Sequence, residues 1–333
     1  MKLLKYFIFL SFFLLLLPSC KNDKLKIADT GRKIVINGLV TADSLLNIRV
    51  NKSIFYKDYF SLHDSGPAKA NIRFYLNDQC LDTLHNINNY NNLGFNDYWY
   101  GSLDFYYQSN YCYGKVKALQ GREYKLLVKA PGMPDASAST FIPNKVRIEE
   151  MDTSRLIMPP DPYHPDHNWA RLMCNLKFND PANESNYYMV SISRKPGNGQ
   201  FHSYIWFDSH DIIVEEKLSN ENGIYAIAFS DKAINGTKYS LQVLLDTDLF
   251  GMPFWDDRQS YFGISDPKDH KKTIYIKLYS ITSEYFKFLH TINLYKKNYE
   301  NLLSERVLMY SNIEGGLGIL AGCPVSCVRR PIF

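Results

Sequence analysis

Apolar and polar residues alternate along most of this chain, and the period is two. Ile34, Ile36, Leu39 and Val40 lead into a turn at Thr41-Ala42-Asp43-Ser44, after which Leu46, Ile48 and Val50 take alternate positions. Such spacing places one side of an extended segment in a core and the other in water. Further strands are expected at Asn71–Leu76, Trp99–Tyr106, Tyr124–Ala130 and Ala136–Ile142. A second series covers Leu172–Phe178, Tyr187–Arg194, His202–Phe207, Ile224–Phe229, Tyr239–Leu245 and Thr273–Tyr279. Turn-forming clusters such as Asp64-Ser65-Gly66-Pro67 and Pro131-Gly132-Met133-Pro134 separate them. The chain is therefore expected to be mainly β, with two antiparallel immunoglobulin-like sandwiches in series.

Met158–His167 carries four prolines, Pro159, Pro160, Pro162 and Pro165, and marks a linker over about residues 144–168. The domains on either side would be residues 33–143 and 169–333. Two segments echo each other across it. Gly121, Tyr124, Leu126 and Val128 have the spacing of Gly236, Tyr239, Leu241 and Val243. A turn glycine before alternating inward residues, with a tyrosine at the corner, suits a late strand of such a sandwich. One segment changes period: Tyr285, Phe288, Leu289, Ile292 and Tyr295 recur at steps of three and four. With Thr282 or Ser283 as cap, Glu284 in the first turn and Lys296-Lys297 in the last, they predict a helix over about 282–298. A C-terminal strand pair is expected after it.

The first residues add an address. Met1-Lys2-Leu3-Leu4-Lys5 is basic, Tyr6–Leu17 is almost wholly apolar, and Pro18-Ser19-Cys20 follows. The order is that of a signal peptide, residues 1–19, and its apolar run is shorter than the roughly 20 residues of a spanning helix. Leu17-Pro18-Ser19-Cys20 resembles the lipobox of bacterial lipoproteins, although Pro18 departs from the usual small residue. Cys20 is thus the expected lipidation site, and polar Lys21–Arg32 the tether that completes residues 20–32. A membrane partner is expected through that anchor alone.

Composition changes this picture little. Formal charge is +4 on 333 residues, with no basic arm, so nucleic acid is not an expected partner. The 25 Tyr and 20 Phe favour strands. Five cysteines follow Cys20. Export and sequence proximity make Cys323–Cys327 and Cys80–Cys112 the candidate disulfides, and Cys174 a buried thiol.

Motifs for chemistry fail on inspection. The glycines between Asn312 and Gly322 lack the lysine of a phosphate loop and the spacing of a dinucleotide fold. They fit a tight turn entering a strand that lies close to another backbone. His164-Pro165-Asp166-His167 offers metal-ligand types without a third partner of matching context, and His202 and His210-Asp211 offer less. No G-x-S-x-G, H-E-x-x-H or S-x-x-K occurs. No catalytic, cofactor or metal residue is assigned, and a non-enzyme is expected.

Several stretches together resemble the DUF4249 lipoproteins of Bacteroidota. They are Lys33–Val40, Phe229-Ser230-Asp231 with Asn235-Gly236, Ser283–Leu294, and above all Tyr310-Ser311-Asn312-Ile313-Glu314-Gly315-Gly316-Leu317-Gly318-Ile319. Cys323-Pro324-Val325-Ser326-Cys327 departs from that pattern. The resemblance implies an outer-membrane lipoprotein, on a membrane face that the sequence leaves open, often encoded beside a TonB-dependent receptor. The expected function is that of a non-catalytic accessory to such a receptor, in ligand capture or receptor assembly. A surface hydrolase acting on glycan or peptide is the alternative. Aromatic loops Asn96–Tyr100 and Phe250–Trp255 are candidates for contact surface.

Overall fold

The computed structural model describes residues 31–54, 70–86, 111–157, 170–194, 203–205, 207–220, 223–246, 272–299 and 304–332. Among these residues the protein is mainly β, with antiparallel sheets and one α-helix. Arg32–Phe333 forms one compact unit.

The first sheet has eight strands. Seven are consecutive: β1 (Ile34–Val40), β2 (Leu45–Lys52), β3 (Asn71–Leu76), β4 (Gln79–Asn86), β5 (Tyr111–Lys117), β6 (Glu123–Lys129) and β7 (Ala136–Phe141). The eighth, β17 (Leu317–Gly322), comes from the far end of the chain and pairs with β1 in parallel. The order is β17-β1-β2-β5-β4-β3-β6-β7. Its two edges meet, because Ser137 of β7 exchanges backbone hydrogen bonds with Glu314 at 2.8 and 3.0 Å. The Gly322 N–H also donates to Thr140 Oγ1 at 2.8 Å. Where a two-layer sandwich was expected, a single sheet curls almost into a barrel around its own apolar face. Alternation supplies that face: Ile34, Ile36, Ile48, Val50, Ile72, Phe74, Leu126 and Val128 are all buried. Phe74 and Tyr124 stack at 4.9 Å.

The seam explains the glycine-rich motif. Gly318 lies at φ +103°, and a Cβ there would fall 2.1 Å from the Ile36 carbonyl oxygen of β1. On the other side, a Cβ on Gly322 would fall 2.2 Å from the Phe141 carbonyl oxygen. A strand that is squeezed between two backbones has room for hydrogen there and nothing larger. Asn312 locks the entry, accepting from Leu320 N at 3.0 Å and donating to Leu320 O at 2.8 Å.

The remaining strands form two sheets. A four-stranded sheet runs β12-β15-β9-β8, where β8 is Ile148–Ile157, β9 Ala170–Asn179, β12 Phe207–Asp208 and β15 Lys238–Asp246. A six-stranded sheet runs β13-β14-β10-β16-β18 with β11 beside β10. Its members are β10 (Tyr187–Arg194), β11 (Ser203–Tyr204), β13 (Glu216–Asn220), β14 (Gly223–Ser230), β16 (Lys272–Ile281) and β18 (Val325–Ile332). The two sheets share one core, in which Leu176, Phe178, Leu241 and Val243 meet Tyr188, Val190, Ile227, Ile276 and Leu278.

Three expectations need correction. Part of the expected linker is strand β8, since Ile148–Ile157 pairs along the length of β9; the proline run itself lies outside the described residues. The C-terminal strands do not pair with each other: β17 joins the first sheet and β18 joins β16. Neither expected disulfide is formed, all four thiols being free. The registers give the reason. His85 faces Tyr113 and Asn86 faces Cys112, so Cys80 lies six positions down β4, roughly 20 Å away at strand rise. Cys323 is buried at the barrel end, whereas Cys327 is exposed on β18. The extended chain between them exceeds the roughly 7 Å that a disulfide tolerates. Trp99–Tyr106 lies outside the described residues.

The motif around Asn235-Gly236 is likewise architectural. Buried Asp231 accepts from Asn186 N at 2.8 Å and Asn235 Nδ2 at 3.2 Å. Buried Asp180 accepts from Tyr188 OH at 2.5 Å and Gly236 N at 2.9 Å. Gly121 and Gly236, which open the echoing strands β6 and β15, share nearly one backbone angle, φ +69° and +71°.

Candidate functional site: the helix platform on the six-stranded sheet

The helix α1 spans Ser283–Tyr299. Thr282 caps it, its Oγ1 accepting from Tyr285 N at 3.3 Å, with Glu284 and Lys296-Lys297 at the dipole ends that suit them. It seats on the outer face of the six-stranded sheet, where Leu289 joins Met189, Leu218, Ala226, Ala228, Ile281 and Cys323. Tyr187 and Phe286 meet at 5.1 Å.

The buried side of α1 differs from the expected stripe. Leu289 and Asn293 are its buried residues, while Tyr295 at the end of the expected stripe is 43% exposed. A carboxylate in the sheet sets this rotation. Glu216 of β13 is only 6% exposed, and both its oxygens end on the helix. His290 Nδ1 lies 2.5 Å from Oε1, and Asn293 Nδ2 donates to Oε2 at 2.7 Å. Lys296 donates to Ser219 O at 3.0 Å and lies 5.8 Å over the Tyr225 ring; burial pulls its ammonium below the usual lysine range. A buried carboxylate is tolerable when donors satisfy it, so the helix turns Asn293 inward and brings His290, itself half exposed, to the edge of the contact. Chemically this is a clamp, because the oxygens that a general base would need are already committed to the helix.

Residues 304–313 run beside the helix as a strap. Tyr310 N donates to Thr291 Oγ1 at 3.0 Å, Lys287 sits 5.8 Å over the Tyr310 ring, and Asn298 Nδ2 reaches Glu305 O at 3.2 Å. Helix and strap together present large apolar side chains to water. Leu308 is 91% exposed, Tyr299 74% and Met309 51%, and Tyr295 packs on Tyr299 at 5.9 Å.

The residues singled out from the sequence are distributed elsewhere. Cys20, His164, His167, His202 and the loops Asn96–Tyr100 and Phe250–Trp255 lie outside the described residues. His210 is a surface group paired with Asp208 at 3.1 Å, an aspartate that Lys217 also contacts at 3.1 Å. Asp211 is occupied by Tyr239 OH at 2.6 Å. Among the described residues no three His, Cys, Asp or Glu converge as metal ligands. Cys112, Cys174 and Cys323 are buried thiols, which burial pushes up to about 11, 12 and 12. Sequence reasoning missed Glu216, His290 and Asn293. Glu215-Glu216-Lys217 reads as a solvated charge run, and nothing local distinguishes the glutamate that turns inward.

Fold and platform thus define a mainly β protein with one helix clamped onto a sheet and an apolar strap beside it. The chain matches the DUF4249 family, a domain of unknown function, over residues 23–328. It belongs to that family. No curated protein matches it at a significant level.

Proposed function

We propose that this chain is a non-catalytic outer-membrane lipoprotein, anchored through lipid on Cys20 and accessory to a TonB-dependent receptor in ligand capture or receptor assembly. The observation that carries this reading is the platform of Tyr295, Tyr299, Leu308 and Met309, apolar side chains exposed on a clamped helix and its strap. Aromatic residues and methionine are enriched where proteins meet, and a rigid base lowers the entropy lost on docking. The commitment of Glu216 to helix side chains supports a binding role over acid–base chemistry at this place. The shared core of the four- and six-stranded sheets supports reading β8–β16 with β18 as an immunoglobulin-like sandwich.

The test is affinity capture of the tagged lipoprotein from detergent-solubilised outer membranes. Stoichiometric recovery of a β-barrel receptor, lost in a Tyr299→Asp, Leu308→Asp double variant of unchanged thermal midpoint, is the expected result. Recovery of the lipoprotein alone, with turnover of a polysaccharide or peptide library, would replace this reading with that of a surface hydrolase.

A further inference from the structure

The helix platform occupies only part of the outer face of the six-stranded sheet. It packs against β13, β10 and β17 and reaches β14 and the Tyr279–Ile281 end of β16, which leaves the Tyr275–Lys277 part of β16 and its β18 neighbours beyond it. Alternation fixes what that end presents. Tyr188, Val190 and Ile192 point into the shared core while Tyr187 and Met189 pack under the helix, so Ser191 and Ser193 face outward. On β16, Ile274, Ile276 and Leu278 point inward, so Lys277 faces outward between its cross-strand neighbours Ser191 and Cys327. Tyr275, one step along, faces Ser193 on one side and Arg329 on the other.

Two features of this end are incomplete. Ser193 is 2% exposed, and its hydroxyl is buried with no hydrogen-bond partner. Such a group costs free energy unless a ligand or water completes it. Lys277 is a partly buried cation, which burial holds below the usual lysine range, and no carboxylate of the described residues is paired with it. Composition explains the want of a counter-charge. Glu216 is the single acid in the strands of this sheet, against Arg194, Lys217, Lys272, Lys277, Arg329 and Arg330. That acid is spent on the helix clamp.

We infer that the β16–β18 end of this face binds a small oxyanion, a carboxylate or phosphate group, with Lys277 supplying the charge, Ser193 a hydroxyl donor and Arg329 a second cation at the rim. An anion there pairs with a partly buried ammonium beside a buried hydroxyl, and charge-assisted hydrogen bonds are stronger than neutral ones. It also gives the buried hydroxyl a partner. The inference is independent of the accessory role, since it concerns a different part of the sheet.

The experiment is calorimetric titration of the full chain in detergent at low ionic strength, with inorganic phosphate and, separately, with acetate. The expected result is saturable 1:1 binding of one probe over the other, which identifies the headgroup. Lys277→Met should weaken it roughly tenfold or more and Ser193→Ala by a smaller factor. Lys296→Met, on the helix platform, should leave it unchanged. Replacing a buried cation with an apolar side chain should hold or raise the thermal midpoint, so lost binding in Lys277→Met is not lost folding. No saturable binding of either probe, or equal binding by wild type and Lys277→Met, would overturn the inference.

Discussion

The inside of the near-barrel and the β13–β14–β10 part of the six-stranded sheet's outer face both bury side chains, yet they are filled by opposite rules. The barrel interior is aliphatic and aromatic, and its seam is a matter of shape: glycines where two backbones leave no room for a Cβ. The sheet face buries Glu216, Asn293, Ser191 and Ser193, and the position of its helix is set by which donors reach one carboxylate. Shape complementarity makes a scaffold. Buried polar groups make geometry specific, and they mark where binding energy is available. The barrel side of this protein reads as support, and the sheet face as the place where specificity is stored.

The comparison can be broken at the seam first. Gly318→Val should be the most damaging change, costing about 1–3 kcal/mol for the positive φ alone and more for the overlap with Ile36 O. Gly132→Ala is the control, also at positive φ (+73°) but with nothing within 4 Å of the added Cβ. Denaturant midpoints should separate the two variants clearly. Similar midpoints would show that the seam yields.

The clamp comes next. Glu216→Ala leaves the buried Asn293 amide unpaired against the sheet, at a cost of about 1–3 kcal/mol. Amides of Ser283–Tyr299 should exchange faster while those of β1 and β2 keep their protection. Uniform loss of protection would mean that helix and barrel are a single cooperative unit.

A smaller effect should follow pH. Burial outweighs the hydrogen bonds from Tyr188 and Gly236 and holds the Asp180 carboxyl above its ordinary value of 3.8. The folded state therefore favours the protonated form relative to the unfolded chain. That contribution is complete below the unfolded value and disappears as pH rises through the raised one. Thermal midpoints of wild type and Asp180→Asn, taken upward from pH 3, should shift in favour of the variant with rising pH. A constant difference would remove the reading.

The mildest test leaves the fold untouched. At pH 8 an alkylating reagent should label Cys80 fastest and Cys327 more slowly, since burial raises the Cys327 thiol against the opposing pull of Lys277. Cys112, Cys174 and Cys323 should react only after unfolding. Mass spectrometry that finds either pair linked under oxidising conditions would contradict the registers of β4, β5 and β18.

The strands that alternate cleanly were legible in the sequence. Asn71–Leu76 and Tyr187–Arg194 match β3 and β10 residue for residue, because side-chain character alternates along each, although only β3 has a wet face and β10 is buried on both. The polar strands β4, β8 and β13 were not, since Gln79–Asn86, Ile148–Ile157 and Glu216–Asn220 carry few apolar residues and owe their form to their neighbours. The helix was legible in extent but not in rotation, since Asn293 is polar and its inward turn depends on a glutamate far away in sequence. The glycine motif announced a close backbone approach. Which backbones it approaches is a property of the whole fold.

The route of the last strands bears on how this protein comes to be folded. Nascent chain reaches β1 early, yet the partner that covers one side of β1 is β17, from the opposite end of the described chain. Until β17 arrives, β1 and β7 remain bare edges able to template pairing with another chain. Contacts so distant in sequence also make folding slow. The interval between the two strands is a window of vulnerability in which a holding chaperone would have the most to protect.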